Sequence, residues 1–130
     1  MEDKELEERL EQAGFYEETS TSSEVTSKYP IEAVLWAGST DFCKEVLIAK
    51  SAEFGRMLFT DGELQSTEGD EAIYHEHLVH PAVATYKTLY GDKPLRVCVL
   101  GAGEGATCRE LLKWPVSIVK EVVWNDIDQS

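Results

Sequence analysis

Three glycines in five residues, set between an apolar run and a short amphipathic segment, constrain this chain more than anything else in it. In RVCVLGAGEGATCR, residues 96–109, the run Val97, Cys98, Val99, Leu100 suits a buried parallel strand. Gly101, Gly103 and Gly105 then alternate with Ala102 and Glu104, so the chain turns sharply and no bulky side chain crowds the backbone. Residues 107–113 read as a helix, with Leu111 and Leu112 apolar and Pro115 just past its end. A strand, a glycine turn and a helix start place backbone N–H groups where a ligand can meet them.

A second strand is expected over 118–124, followed by Asn125-Asp126-Ile127-Asp128. Asp126 falls 21 positions after Gly105. That spacing suits an acidic residue at the end of the next parallel strand, accepting hydrogen bonds from a ribose. The glycine spacing is G-x-G-x-G rather than G-x-G-x-x-G/A, which favours an adenosyl ligand over a dinucleotide. Taken alone, the same pattern also suits a plain βα turn. The fold class expected is α/β: a small antiparallel β unit followed by the start of a Rossmann-like domain. With only two parallel strands, the 130 residues read as the front part of a longer protein.

Charge narrows the partners. The net charge is −13, and residues 1–24 hold nine acids against Lys4 and Arg9, more than half of the total. No cluster of Lys and Arg offers a nucleic-acid footprint, so nucleic acid is not an expected partner. A solvated acidic surface or a cationic ligand accounts for the imbalance. Cys43, Cys98 and Cys108 are odd in number and in no metal-binding spacing, which points to a reducing compartment and a cytoplasmic protein. No apolar stretch is long enough to span a membrane, and the acidic start does not read as a signal peptide.

Three regions are expected: an acidic tail and linker over 1–27, a β-strand unit over 28–69, and the opening of the α/β domain over 70–130. Residues 1–13 suit a helix with Leu6, Leu10 and Ala13 on one face and Gly14 as its stop, either docked or frayed. Thr19-Ser20-Thr21-Ser22-Ser23 reads as a polar linker. Strands are expected over 31–36, 43–49, 56–60 and 63–66, with Asp61-Gly62 as a two-residue hairpin turn. A helix is expected over 71–85 with Asp70 as its N-cap, and Ile73, Tyr74, His77 and Leu78 recur at helical spacing. Pro81 should bend this helix or end it near His80.

His75, His77 and His80 invite a metal reading, but the residue four after His75 is Val79, so the zinc-protease helix pattern fails. Only His77 and His80 share a face suited to joint ligation. No metal is expected, and histidines hydrogen-bonded at a helix interface are the better account.

Four elements in order resemble one family. Gly55 to Gln65 follows G-x-x-L-x-x-D-G-x-x-Q, and Asp70 to Glu76 follows D-E-x-x-Y-[QH]-E. Gly101 to Gly105 then matches G-G-[GA]-[DE]-G at every position but Ala102, and Asp126 to Asp128 follows [ED]-I-D. Together these resemble the aminopropyltransferases, the spermidine and spermine synthase family, with His75 and Glu104 most like the thermospermine synthases. The resemblance implies a β-sheet N-terminal domain used for homo-oligomerisation and a methyltransferase-like catalytic domain. The implied reaction moves an aminopropyl group from decarboxylated S-adenosylmethionine to a polyamine such as spermidine or putrescine. That donor is a co-substrate, and no cofactor is implied.

Residue by residue, the resemblance gives donor-binding roles to Gln65, His75, Gly101, Gly103, Glu104 and Asp126. Tyr74 and Glu104 would meet the polyamine. Lys44 stands in a Cys43-Lys44 pair where the family has Tyr-Gln, and it would bring a cation toward a cationic donor. Ala102 and Gly69 replace a common glycine and a common arginine. The catalytic base is expected beyond Ser130, which would leave these 130 residues inactive alone. Two other readings stand beside this one: an S-adenosylmethionine-dependent methyltransferase and a non-catalytic subunit of an aminopropyltransferase.

Overall fold

The computed structural model describes residues 3–19 and 25–128. The chain divides into two compact units, Met1–Asp70 and Glu71–Gln129.

The first unit is built from a short helix and six antiparallel strands. Helix α1 (Lys4–Ala13) starts where the Asp3 carboxylate accepts the Leu6 N–H at 3.0 Å. It stops at Gly14, whose φ of 71° lets its N–H reach back to the Leu10 carbonyl at 2.9 Å. Leu6 and Leu10 are buried, which settles the choice between a frayed and a docked helix. Two buried leucines contribute about 1.5–3 kcal/mol each. Strands β1 (Phe15–Thr19) and β2 (Thr26–Pro30) pair with each other. The first 27 residues, expected as tail and linker, therefore supply a docked helix and one strand with the start of another. Of the polar stretch 19–23, only Thr19 is described, at the end of β1.

Strands β3 (Ala33–Gly38), β4 (Val46–Ser51), β5 (Gly55–Thr60) and β6 (Glu63–Thr67) form a meander in that order. β4 starts three residues later than expected because 40–45 is a turn. Thr40 Oγ1 accepts the Cys43 N–H at 3.0 Å, and Asp61 Oδ1 accepts the N–H groups of Lys44 and Glu45 at 2.7 and 3.0 Å. Those bonds hold Asp61 at φ 48°, beside Gly62 at 90°, as the expected hairpin turn requires. The core gathers Leu6, Leu10, Tyr16, Leu47, Ala49, Met57 and Phe59, with the Tyr16 and Phe59 rings 4.4 Å apart.

The second unit holds α2 (Glu71–Tyr90), β7 (Leu95–Leu100), α3 (Ala106–Leu112) and β8 (Val119–Asn125). β7 and β8 pair in parallel. Helix α2 runs through Pro81, where an interior proline forfeits one backbone bond and costs about 3 kcal/mol. Pro81 lies on the exposed side, and the helix is held from the other side by Val79 and Val83. Its buried stripe is His75, Val79, Val83, not the expected Ile73, Tyr74, His77 and Leu78, all of which are exposed. Asp70 takes the Thr67 hydroxyl at 2.7 Å, a bond that ties it to the end of β6.

β7 departs from a fully buried strand. Val97 and Val99 pack on the cluster of Val79, Val83, Leu111, Ile118 and Val119, whereas Cys98 and Leu100 point to an exposed face. Among the described residues, α2 and α3 are the only helices in this unit and none covers that face.

Candidate active site

Residues 101–105 turn the chain from β7 into α3. Gly101 and Gly105 take φ values of 71° and 72°, which a side chain rarely adopts. The N–H groups of Gly101 and Ala102 donate to the Asn125 carbonyl at 3.0 and 3.3 Å, fastening the loop to the end of β8. Ala102 is buried and keeps a negative φ, so the missing glycine there is no strain.

The middle and last glycines answer to two side chains at the end of β8. A Cβ on Gly103 would stand 3.2 Å from Asp126 Oδ2, and one on Gly105 would stand 3.0 Å from the Trp124 ring. Residues two apart at a strand end thus approach glycines two apart in the loop. Asp126 is half-buried, and its Oδ1 accepts the Asp128 N–H at 2.9 Å. One carboxylate oxygen is fixed by the turn and the other lies against the loop backbone, a geometry suited to holding vicinal hydroxyls. Glu104 is exposed at the turn. α3 is only seven residues long, so the loop backbone and Asp126, more than a helix dipole, define this end of the unit.

On α2, His75 is buried and its Nδ1 lies 2.7 Å from the Glu71 carbonyl. A carbonyl only accepts, so Nδ1 carries the proton and Nε2 presents a lone pair. Tyr74 stacks edge-on to His75 with centroids 5.0 Å apart, and 66% of Tyr74 is exposed. Gln65 and Lys44 belong to the first unit. Gln65 is exposed on β6 with Nε2 donating to the Glu63 carbonyl at 3.3 Å, and Lys44 is exposed in the 40–45 turn.

Two features escaped the sequence. Trp124 covers Gly105, and the period-two alternation back from Asp126 could have found it. Glu110 is a charged residue inside an apolar helix stripe, and it is 1% exposed. Around it, Lys113 Nζ approaches Oε2 at 2.6 Å and Arg109 Nε donates to Oε1 at 3.2 Å. Those cations, Lys113 first, hold the Glu110 carboxyl below its ordinary range against the opposing effect of burial. Glu71 completes the set by accepting from Arg109 Nη2 at 2.7 Å.

All three histidines are hydrogen-bonded. His77 Nδ1 lies 2.7 Å from the Ile73 carbonyl, whereas His80 bonds Glu110 through Nε2 and Trp114 through Nδ1. Among the described residues, the group with metal-ligand geometry is Glu76, His80 and Glu110. Lys113 Nζ lies 2.6 Å from Glu110 and 3.8 Å from Glu76, so an ammonium already fills the place of a cation.

Comparison with known proteins identifies the two units. Residues 14–68 match the spermidine synthase tetramerisation domain, and residues 71–130 match the spermine/spermidine synthase domain. A polyamine aminopropyltransferase of Hyperthermus butylicus is 46% identical over 100 residues, covering 77% of this chain and 32% of the relative. The thermospermine synthase of Arabidopsis thaliana is 36% identical over 115 residues, covering 88% of this chain and 31% of the relative. The crystal structure of spermidine synthase from Thermotoga maritima superposes with a TM-score of 0.77 at 30% identity, over 91% of this chain and 39% of that one. The chain thus spans about a third of the length of the curated relatives it matches. With both domain matches in order along the chain, and the glycine loop and Asp126 meeting as described, the chain belongs to the spermidine/spermine synthase family.

Proposed function

We propose that this chain supplies the donor side of a polyamine aminopropyltransferase. The amine nitrogen of a polyamine attacks the aminopropyl carbon bonded to the sulfonium of decarboxylated S-adenosylmethionine. The C–S bond breaks, its electron pair goes to sulfur, and 5′-methylthioadenosine leaves. The sulfonium is itself the activated leaving group, so the chemistry calls for no cofactor. The observation that carries the reading is the Asp126 carboxylate lying 3.2 Å from the place of a Gly103 side chain, at the end of a parallel strand pair.

Asp126 is assigned the ribose hydroxyls, and Gly101 and Gly103 the close approach of the nucleoside to the backbone. Glu104 sits at the turn as a carboxylate for the aminopropyl ammonium, and Tyr74 is assigned to the polyamine. His75 Nε2 offers an acceptor to the donor, and Gln65 is a donor contact by family resemblance. Lys44 is a contact in doubt on electrostatic grounds, because like charges repel. The base that takes the amine proton is not assigned to any of these residues and is expected in the remainder of the protein. Homo-oligomerisation through the β unit is supported by the tetramerisation-domain match over 14–68. A cytoplasmic site is supported by three free cysteines. Among the described residues, no helix is long and apolar enough to cross a membrane.

The test uses the 130 residues and the whole protein side by side, with decarboxylated donor and spermidine. Methylthioadenosine should form only with the whole protein. Turnover by the 130 residues would show that a base lies among them. Methyl transfer from S-adenosylmethionine, without aminopropyl transfer, would favour a methyltransferase.

A further inference from the structure

A buried carboxylate joins the two helices of the second unit, and the reaction has no use for it. Glu110 accepts from Lys113, Arg109 and His80, the last through Nε2 at 3.2 Å. Trp114 Nε1 donates to His80 Nδ1 at 3.0 Å. An indole N–H only donates, so Nδ1 must offer its lone pair and the imidazole proton sits on Nε2, facing Glu110. Arg109 also reaches Glu71 in the first turn of α2. The network therefore runs from Glu71 and His80 on α2, through Arg109 and Glu110 on α3, to Lys113 and Trp114 just beyond it.

Such a network is a costly way to hold two helices, because desolvating a carboxylate opposes folding and apolar side chains of similar volume do as well. Hydrogen bonds with fixed donors do set rotation and register, which interchangeable apolar contacts leave looser. Register matters here. α3 begins directly after Gly105, and the Arg109 N–H donates to the Gly105 carbonyl at 2.9 Å. The loop has no slack at its other side chains either, with Asp126 and Trp124 at 3.2 and 3.0 Å from the places of the Gly103 and Gly105 side chains.

We propose that Glu110 is a positioning residue for the donor loop: it fixes α3, and through it residues 101–105, against the first three turns of α2. The inference rests on the aminopropyltransferase reading for its kinetic consequence and on the hydrogen-bond network alone for its structural one. His80 and Trp114 act through Glu110, and a bound metal has no part, since Lys113 occupies that place.

Two measurements on Glu110→Gln test it, with Glu121→Gln as control because Glu121 pairs with Arg96 on the same unit, away from the loop. Amide exchange in the whole protein should accelerate roughly tenfold at Gly105 and Arg109, with the β7–β8 ladder amides unchanged. Uniform acceleration, or none, overturns positioning, because mere loss of stability moves both sets together. In the whole protein, KM for the decarboxylated donor should rise roughly tenfold while kcat at saturating donor stays within about twofold. An unchanged donor KM overturns the proposal whatever the exchange shows. If Glu110→Gln does not fold, Trp114→Phe decides, since it removes the indole N–H and keeps an aromatic ring at the site. It should move the same two amides and the donor KM in the same direction, and no movement overturns the proposal. Should the wild-type protein transfer no aminopropyl group, the functional reading falls and the exchange data still decide the positioning.

Discussion

The two units follow the same strand alternation and arrive at different degrees of closure. In the first, Phe59 exposes 1% of its surface and Leu47 none. In the second, Leu100 leaves 77% exposed, and Val116, Val123 and Ile127 are exposed as well. The difference is one of layers. Strands β4 and β5 turn Leu47, Ala49, Met57 and Phe59 toward a core that α1 and the Tyr16 ring complete. β7 turns Val97 and Val99 toward α2 and α3, but Cys98 and Leu100 meet no second layer among the described residues. Apolar residues at strand positions mark a sheet, and only a second layer makes them a core.

The largest effects should fall in the first unit. Phe59→Ala should cost roughly 3–5 kcal/mol, the range for emptying a packed aromatic site. Leu100→Ser should stay within about 0.5 kcal/mol, as exposed positions do. Urea unfolding of the 130 residues reads both. A loss above about 2 kcal/mol at Leu100 would mean that its face is covered in solution, and a concentration-dependent midpoint would identify self-association as the cover. The comparison between the units would then be wrong as drawn.

Function should reverse that order. Asp126→Asn in the whole protein should weaken 5′-methylthioadenosine binding by about 1–3 kcal/mol, the cost of losing a charge-assisted hydrogen bond. Its urea midpoint should barely move. Gly103→Ala should weaken the same binding, because a methyl group would stand 3.2 Å from Asp126 Oδ2 and displace it. Calorimetric titration beside urea melts checks this. Binding that survives Asp126→Asn unchanged removes the ribose assignment.

One buried group in each unit should also tie stability to pH, at opposite ends of the scale. Tyr16 is raised above its ordinary value, first by burial and then by its bond to Glu45 at 2.6 Å. A raised tyrosine keeps its contribution below its unfolded pKa near 10 and loses it as pH climbs toward the folded value. Glu110 is lowered, so its contribution is present above its unfolded pKa and is lost as pH falls through the folded one. Tyr16→Phe should flatten the alkaline limb of the first unit, and Glu110→Gln the acid limb of the second. Amide exchange across a pH series, followed separately for core amides of each unit, is the measurement. Loss of both limbs in one variant would mean that the units do not unfold separately.

What the sequence made legible was local. The glycine loop, the Asp61-Gly62 turn and the two parallel strands depend on residues close together in the chain, and each formed near its expected place. Helix α2 shows where local signals stop. Counting apolar residues at helical spacing selected Ile73, Tyr74 and Leu78, yet the partners of α2 come from β7, β8 and α3 and select His75, Val79 and Val83. Pro81 argued for a break, but a break was not needed with the proline on the exposed side. The Glu110 network was invisible for the same reason: Arg109 and Lys113 are near it in the chain, but His80, 30 positions away, is what brings in the second helix. Helix α1 shows the same limit: two leucines on one face leave docked and frayed equally open in the sequence, and a sheet that receives them decides for docking.

The smallest expected effect concerns the acceptor. Glu104 extends one methylene beyond an aspartate and is exposed at the loop turn, so solvent screens its charge and only reach distinguishes the two residues. Spermidine carries one more ammonium than putrescine, and a longer carboxylate can meet it farther into a groove. The whole protein should therefore prefer spermidine, in keeping with its resemblance to the thermospermine synthases. Glu104→Asp should shift kcat/KM toward putrescine by less than about tenfold, since one methylene is worth roughly 1–3 kcal/mol only in a closed pocket. The Leu100→Ser variant of the unfolding experiment serves as the control, being in the same unit and outside the loop. Initial rates with the two amines in parallel, at saturating donor, give the ratio directly. A wild-type preference for putrescine would remove the thermospermine-like assignment and leave the aminopropyl chemistry standing. A ratio unmoved by Glu104→Asp would place acceptor choice on residues outside this loop.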